Sequence, residues 1–143
     1  MSSEDNRKLV RRFIEKVNER DYEALDDLLA PDFVRHCQAT PDVDVRSSQD
    51  FKQFDRTSRE SFPDQRIVID RLIAEGDFVA CWCRYLGTQR GPMGPLPASG
   101  KQVDVDFGGC FRVANGRLAE AWVTWDNVTL LKQLGHLPAP QPS

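Results

Sequence analysis

Residues 102–125 read QVDVDFGGCFRVANGRLAEAWVTW. Two alternating runs meet at Asn115-Gly116, a pair that accepts positive φ readily and so marks a hairpin. The turn permits two registers. A two-residue loop sets Ala114 against Arg117 and Phe111 against Glu120, which mixes polar and apolar groups on both faces. A three-residue loop pairs Val113 with Arg117, Phe111 with Ala119, Gly109 with Ala121, Phe107 with Val123 and Val105 with Trp125. That register gives one apolar face, and a buried face selects register strongly, so it is the expectation. The other face then carries Arg112, Cys110, Asp106 and Trp122, with Trp122 lying over Gly108. A large aromatic on an outer sheet face points to a homodimer interface near Trp122.

Working outward, Arg66 to Ala74 and Phe78 to Leu86 also alternate, around a turn at Glu75-Gly76-Asp77. Before them lie three helical patterns. Leu9, Val10, Phe13, Ile14 and Val17 form one stripe, with Ser2 or Ser3 as cap. Asp21 caps a second helix carrying Tyr22, Leu25, Leu28 and Leu29, which stops before Pro31. A third runs from about Gln49 to Phe62 behind Ser48, with Phe51, Phe54, Ser58 and Phe62 on one side. After the hairpin, Asp126 caps a short helix bearing Val128, Leu130, Leu131 and Leu134, and Gly135 suits its C′ position. Helices followed by antiparallel strands make an α+β fold: a curved antiparallel sheet wrapped around the N-terminal helices, with an internal apolar pocket. Residues 1–135 are expected to form a single domain and residues 136–143 a mobile proline-rich tail. The stretch GTQRGPMGPLPASG, Gly87 to Gly100, is flanked by strands on both sides. It is therefore a rim loop over the pocket and not a phosphate cradle, which needs a following helix.

Composition narrows the function. The 143 residues carry a net charge of −3 without a basic run, so no nucleic-acid partner is expected. The longest apolar run, Phe78 to Cys83, is far short of the roughly 20 residues of a membrane helix. MSSEDNRK has no apolar export core, so a cytoplasmic location with Cys37, Cys81, Cys83 and Cys110 reduced is expected. Of the two histidines, His36 and His136, the second lies in the proline-rich tail, and the cysteines read as small core residues, so no metal is expected.

Several segments, in order, resemble the SnoaL-like polyketide cyclases: DFVRH, SFPD, IAEGD, the glycine-proline loop, FRVANGRLAEAW and TWDNVTLLKQLG. The resemblance runs from about Arg7 to Gly135. It implies the cone-shaped fold of nuclear transport factor 2 and a cofactor-free cyclase acting on an aromatic polyketide. The positions matching the family's acid/base aspartate and two neighbouring histidines hold Val123, Ala121 and Gly109. None of these side chains can take a proton. His36 in DFVRH matches a family histidine near the pocket mouth, and a loop histidine can serve as a base near neutral pH. Asp126 matches the acidic position of the WD motif, although it can equally cap the last helix. Tyr85 shares the inward face of its strand with Cys81 and Cys83, and can donate to a substrate oxygen. The candidate catalytic set is thus His36, Asp126 and Tyr85. The candidate lining is Phe33, Cys83, Phe107, Gly109, Phe111, Ala121, Val123 and Trp125. Asp55 and Arg59, four apart on the third helix, read as a solvated ion pair in preference to a polar patch at the pocket lid.

The leading reading is a cofactor-independent cyclase or isomerase for a hydrophobic, polyketide-like or polycyclic molecule. The rival is a non-catalytic binding or accessory protein on the same fold. A hydrolase or hydratase would need a carboxylate and a polar partner deep inside, and the inner strand faces offer neither.

Overall fold

The computed structural model describes residues 2–137. Its elements in chain order are α1 (Ser3–Glu19), α2 (Tyr22–Leu28), β1 (Leu29–Cys37), α3 (Ser48–Ser61), β2 (Arg66–Glu75), β3 (Phe78–Thr88), β4 (Gln102–Ala114), β5 (Arg117–Trp125) and α4 (Asn127–Leu134). Local chemistry sets most boundaries. Ser2 Oγ accepts from the Asp5 N–H at 3.0 Å and Asp5 Oδ2 accepts from the Ser2 N–H at 3.3 Å, a reciprocal cap on α1. Asp21 caps α2, Ser47 caps α3 and Asp126 caps α4. Gly135, at φ 79°, closes α4 in the left-handed conformation that glycine tolerates best. Most of the expected proline-rich tail lies outside the described residues.

The five strands form one curved sheet in the order β1-β5-β4-β3-β2. The expectation of a purely antiparallel sheet is corrected here, because β1 runs parallel to β5. The segment after α2 is therefore a strand and not a loop. Pro31 fits because β1 is an edge strand and its pairing with β5 is interrupted between Leu29 and Val34.

The register of the last hairpin is also corrected. Asn115 and Gly116 both have positive φ, 53° and 74°, as a two-residue type I′ turn requires. Ala114 pairs with Arg117 and Val113 with Leu118, after which the register shifts and Arg112 faces Glu120. Ala119 is the extra residue of this bulge. Leu118 and Ala121 are both buried, yet they stand three apart, so alternation alone would put them on opposite faces. The bulge resolves the conflict. Beyond it Phe111 pairs with Ala121, Gly109 with Val123 and Phe107 with Trp125, so the expected inner-face set survives with different partners. Trp122 consequently faces Cys110, and it is Trp82 that lies over Gly108.

The helices pack on the concave side. Val10, Phe13, Ile14 and Val17 of α1 meet Val79, Cys81, Phe111, Leu118 and Ala121 of the sheet, with Phe51 of α3 beside them. Phe13 contacts Phe51 and Phe111 with ring centroids 5.3 and 5.7 Å apart. At the other end Leu130 and Leu134 of α4 seal a smaller cluster with Phe62, Val103 and Val105. The two clusters do not close on each other, and the space between them is the cavity. Among the described residues no helix is long and apolar enough to cross a membrane.

Candidate active site

The cavity measures about 360 Å³ and is bounded by α1, α3, α4 and the inner faces of all five strands. Phe33, Phe107, Phe111, Ala121, Val123 and Trp125 all line it. Met93 and Gly94 of the glycine-proline loop reach its edge, as do Thr40 and Val43. Gly94 and Val43 are exposed, which places the mouth there. Two of the predicted lining residues lie elsewhere. Gly109 is covered by Cys81, whose Sγ stands 3.1 Å from where a Cβ would be. Cys83 is fully buried in the main core cluster. The neighbouring Cys83 thiol, together with burial, pushes the Cys81 thiol up and away from the thiolate.

The predicted polar residues divide. Tyr85 lines the cavity, and its hydroxyl donates to Gln65 Oε1 at 2.6 Å. Burial pushes its pKa upward, so the hydroxyl stays protonated at neutral pH. His36 is not at the cavity. It lies on the outer face of β1, half exposed, stacked on Trp122 with centroids 5.4 Å apart and paired with Glu120 at 2.6 Å. The strand explains this: Phe33 and Arg35 point inward, so His36 must point out. Asp126 is likewise outside the cavity. Its carboxylate accepts from the Val128 and Thr129 N–H groups and from the Thr129 hydroxyl. The Thr129 hydroxyl bond, the first of these influences, holds the carboxyl below its usual range, as befits a helix cap.

The polar wall is built around Asp55 and Arg59, the pair that the sequence predicts in solvent. Asp55 and Arg59 are buried, with Arg59 Nε donating to Asp55 Oδ2 at 2.9 Å. Asp55 Oδ2 also accepts from the Tyr22 hydroxyl at 2.6 Å, and Oδ1 accepts from Gln65 Nε2 at 3.0 Å. Arg59 donates further to the Val17 carbonyl at 2.6 Å. Gln65 Oε1 in turn accepts from Ser58 at 3.0 Å and from Tyr85. The chain Arg59–Asp55–Gln65–Tyr85 is thus continuous, and it fixes the Gln65 amide so that its oxygen faces the tyrosine. Asp55, Ser58, Gln65 and Tyr85 all line the cavity. A signal for this existed. Phe51, Asp55, Ser58 and Phe62 recur at helical spacing, which puts Asp55 in the middle of the stripe that faces inward. The carboxylate that the strand faces lack is therefore supplied by α3.

Arg35 is the other residue missed. It lies on β1, lines the cavity and stands 4.3 Å from the Phe54 ring centroid. Reading β1 as a strand would have placed it on the same face as Phe33.

This fold, a bent mixed sheet closed by helices around an apolar cavity with one polar wall, is the nuclear transport factor 2-like fold. Residues 8–134 match the SnoaL-like polyketide cyclase family, so the chain belongs to that family. Among solved structures, IdmH from Streptomyces antibioticus, described as a candidate polyketide cyclase, is similar at 29% identity and a TM-score of 0.81. The likeness covers 91% of this chain and 98% of IdmH. AclR from Streptomyces galilaeus, described as a candidate hydroxylase, is similar at 25% identity and a TM-score of 0.81, covering 96% of this chain and 100% of its own. A SnoaL-like cyclase candidate from Jannaschia sp. CCS1, at 23% identity and a TM-score of 0.84 over 95% of both chains, shares the fold. No curated protein sequence gives a significant match.

Proposed function

We propose that the protein is a cofactor-independent enzyme that cyclises or isomerises a hydrophobic, polyketide-like or polycyclic small molecule. The observation that carries this reading is an apolar cavity of about 360 Å³ with a hydrogen-bonded polar wall ending in Tyr85. The volume falls at the lower end of small-molecule sites, roughly 300–1,000 Å³. Aromatic and aliphatic side chains hold the ring system. The neutral Tyr85 hydroxyl then turns from Gln65 to donate to a carbonyl oxygen of a ligand that is already in its enol form. The enol carbon adds to that carbonyl: the C–C bond forms from the enol C=C pair, the carbonyl π pair moves to the oxygen that Tyr85 stabilises, and the enol O–H proton ends on that oxygen through solvent. Asp55 is a positioning residue: three donors already hold its carboxylate, and through Gln65 it orients Tyr85. Val123 and Ala121 stand in the cavity wall where the resemblance implies an acid/base aspartate and a histidine. Orientation and hydrogen bonding would therefore supply more of the rate than a strong base.

Tyr85→Phe is expected to lower turnover at least about tenfold while the protein still folds, because Ser58 continues to satisfy Gln65. His36→Ala, altered on the outer face, is expected to leave turnover within about twofold. The assay follows loss of the substrate peak by liquid chromatography, which separates isomers of equal mass. Equal turnover in Tyr85→Phe and wild type would remove Tyr85 from the reaction.

The non-catalytic reading draws support from one feature: Asp55, the one carboxylate lining the cavity among the described residues, is already held by three donors. A bound molecule recovered unchanged in both mass and chromatographic retention after long incubation would favour it.

A cytoplasmic location is supported by four unbridged cysteines. A homodimer through the outer sheet face is supported by Ile73, Phe78, Trp82 and Trp122, all exposed there. Trp122→Glu is expected to give monomers in analytical sedimentation. An unchanged profile, or a monomeric wild type, would count against that interface.

A further inference from the structure

Arg35 combines three features that its neighbours do not explain. Its guanidinium lies between two aromatic rings, with Cζ 4.3 Å from the Phe54 centroid and 5.8 Å from the Trp125 centroid. Among the described residues it makes no ion pair: the other cavity-lining charge, Asp55, is taken by Arg59. Of its five N–H donors, one meets Thr40 Oγ1 at 3.3 Å. A guanidinium held flat by aromatic faces keeps its N–H edge free for a planar, bidentate acceptor.

We propose that Arg35 is an anchor for a carboxylate carried by the hydrophobic ligand, so that the substrate class is an aromatic or polycyclic acid. The inference rests on the cavity being the ligand site. Two physical reasons favour an anion there. A cation on an apolar wall is poorly solvated, and an opposite charge offsets that cost. Burial pushes the Arg35 guanidinium down from its ordinary value, which is the mark of the same unmet need. A carboxylate matches the guanidinium fork with two parallel N–H···O bonds, which neutral oxygens do not reproduce. The acid end then sits near the mouth at Thr40, and the ring body extends inward over Phe107 and Val123 towards Tyr85.

The test uses naphthalene-2-carboxylate and anthracene-2-carboxylate with their primary carboxamides, titrated into the full-length protein by calorimetry at pH 7 and low salt. Wild type is expected to bind each acid at least about tenfold tighter than its amide. Arg35→Gln is expected to bring acid and amide within about twofold, with the amide affinity retained, and Arg35→Lys to keep part of the preference. Thermal melts establish that the variants fold; if Arg35→Gln does not, the acid-to-amide ratio in wild type and Arg35→Lys decides. Equal binding of acid and amide in wild type, or a preference that survives Arg35→Gln, would overturn the carboxylate anchor and leave the cavity reading standing. Binding of no member of either series would overturn both.

Discussion

Val123→Trp is expected to lower affinity for any cavity ligand by about a hundredfold, roughly 2.7 kcal/mol, with little change in the melting curve. Val123 lies on the inner face of β5, paired with Gly109, and its side chain borders the void. Added ring atoms at this position occupy empty space instead of displacing packed neighbours, so the usual overpacking cost of about 1–3 kcal/mol is largely avoided. The same atoms stand where a ligand would. Thr124→Trp provides the comparison: Thr124 is the next residue, exposed on the outer face, and an indole there leaves the cavity untouched. Calorimetry on both variants with an aromatic acid checks the pair. Equal loss in both, or loss in neither, would mean that ligands bind elsewhere.

Asp55→Ala is expected to destabilise the fold by about 3–5 kcal/mol in urea unfolding. The side chains of Asp55 and Arg59 are 5% and 8% exposed, so solvent does little to screen the charge left behind. Three donors lose their acceptor at once: the Arg59 guanidinium, the Tyr22 hydroxyl and the Gln65 amide. Arg59 keeps its bond to the Val17 carbonyl, which accepts a hydrogen bond but carries no charge. The double variant Asp55→Leu, Arg59→Met removes both charges together and is expected to recover most of the loss, because well-packed apolar replacements of a buried pair are often near neutral. A single-variant cost below about 1 kcal/mol would show that the pair is solvated after all.

The sequence was most legible where local rules and burial agree. The caps at Asp21 and Asp126, the glycine that closes α4 and the Asn-Gly turn each set a boundary through the backbone groups they satisfy or the φ they tolerate. The inner face of the last hairpin could be read because Phe107, Phe111, Ala121, Val123 and Trp125 alternate with polar residues. Its partners could not. The bulge at Ala119 exists because Leu118 must be buried along with Ala121, a tertiary demand that neither loop length expresses. Strand β1 was hidden for a related reason. Its composition is mixed, it contains a proline, and its partner β5 lies far along the chain, so no local pattern signals the pairing. Missing β1 had two consequences for the site. Without the strand, His36 reads as a pocket residue although the pleat turns it out, and nothing marks Arg35, which the pleat turns in. The error on Asp55 was of a different kind. A charged i,i+4 pair is usually solvated, and here the helix stripe outranked that tendency because Tyr22 and Gln65 satisfy the carboxylate.

Family membership and site chemistry also answer different questions. The SnoaL-like fold accounts for the cavity and its apolar walls, whereas the chemistry depends on which polar groups point inward. In this chain those groups come from α3, β1 and β3. The resemblance directed attention to β4 and β5, whose matching positions are valine, alanine and glycine. The two observations are compatible, because a cavity of fixed shape can present its hydrogen-bond donors from more than one wall.

The most direct measurement is native mass spectrometry of the protein after incubation with an extract of its own organism's cells, alongside Val123→Trp. A bound small molecule, acidic and hydrophobic in its fragmentation, is expected on wild type and none on the variant. Ligand-free wild type across growth conditions, or the same mass retained on Val123→Trp, would contradict that expectation.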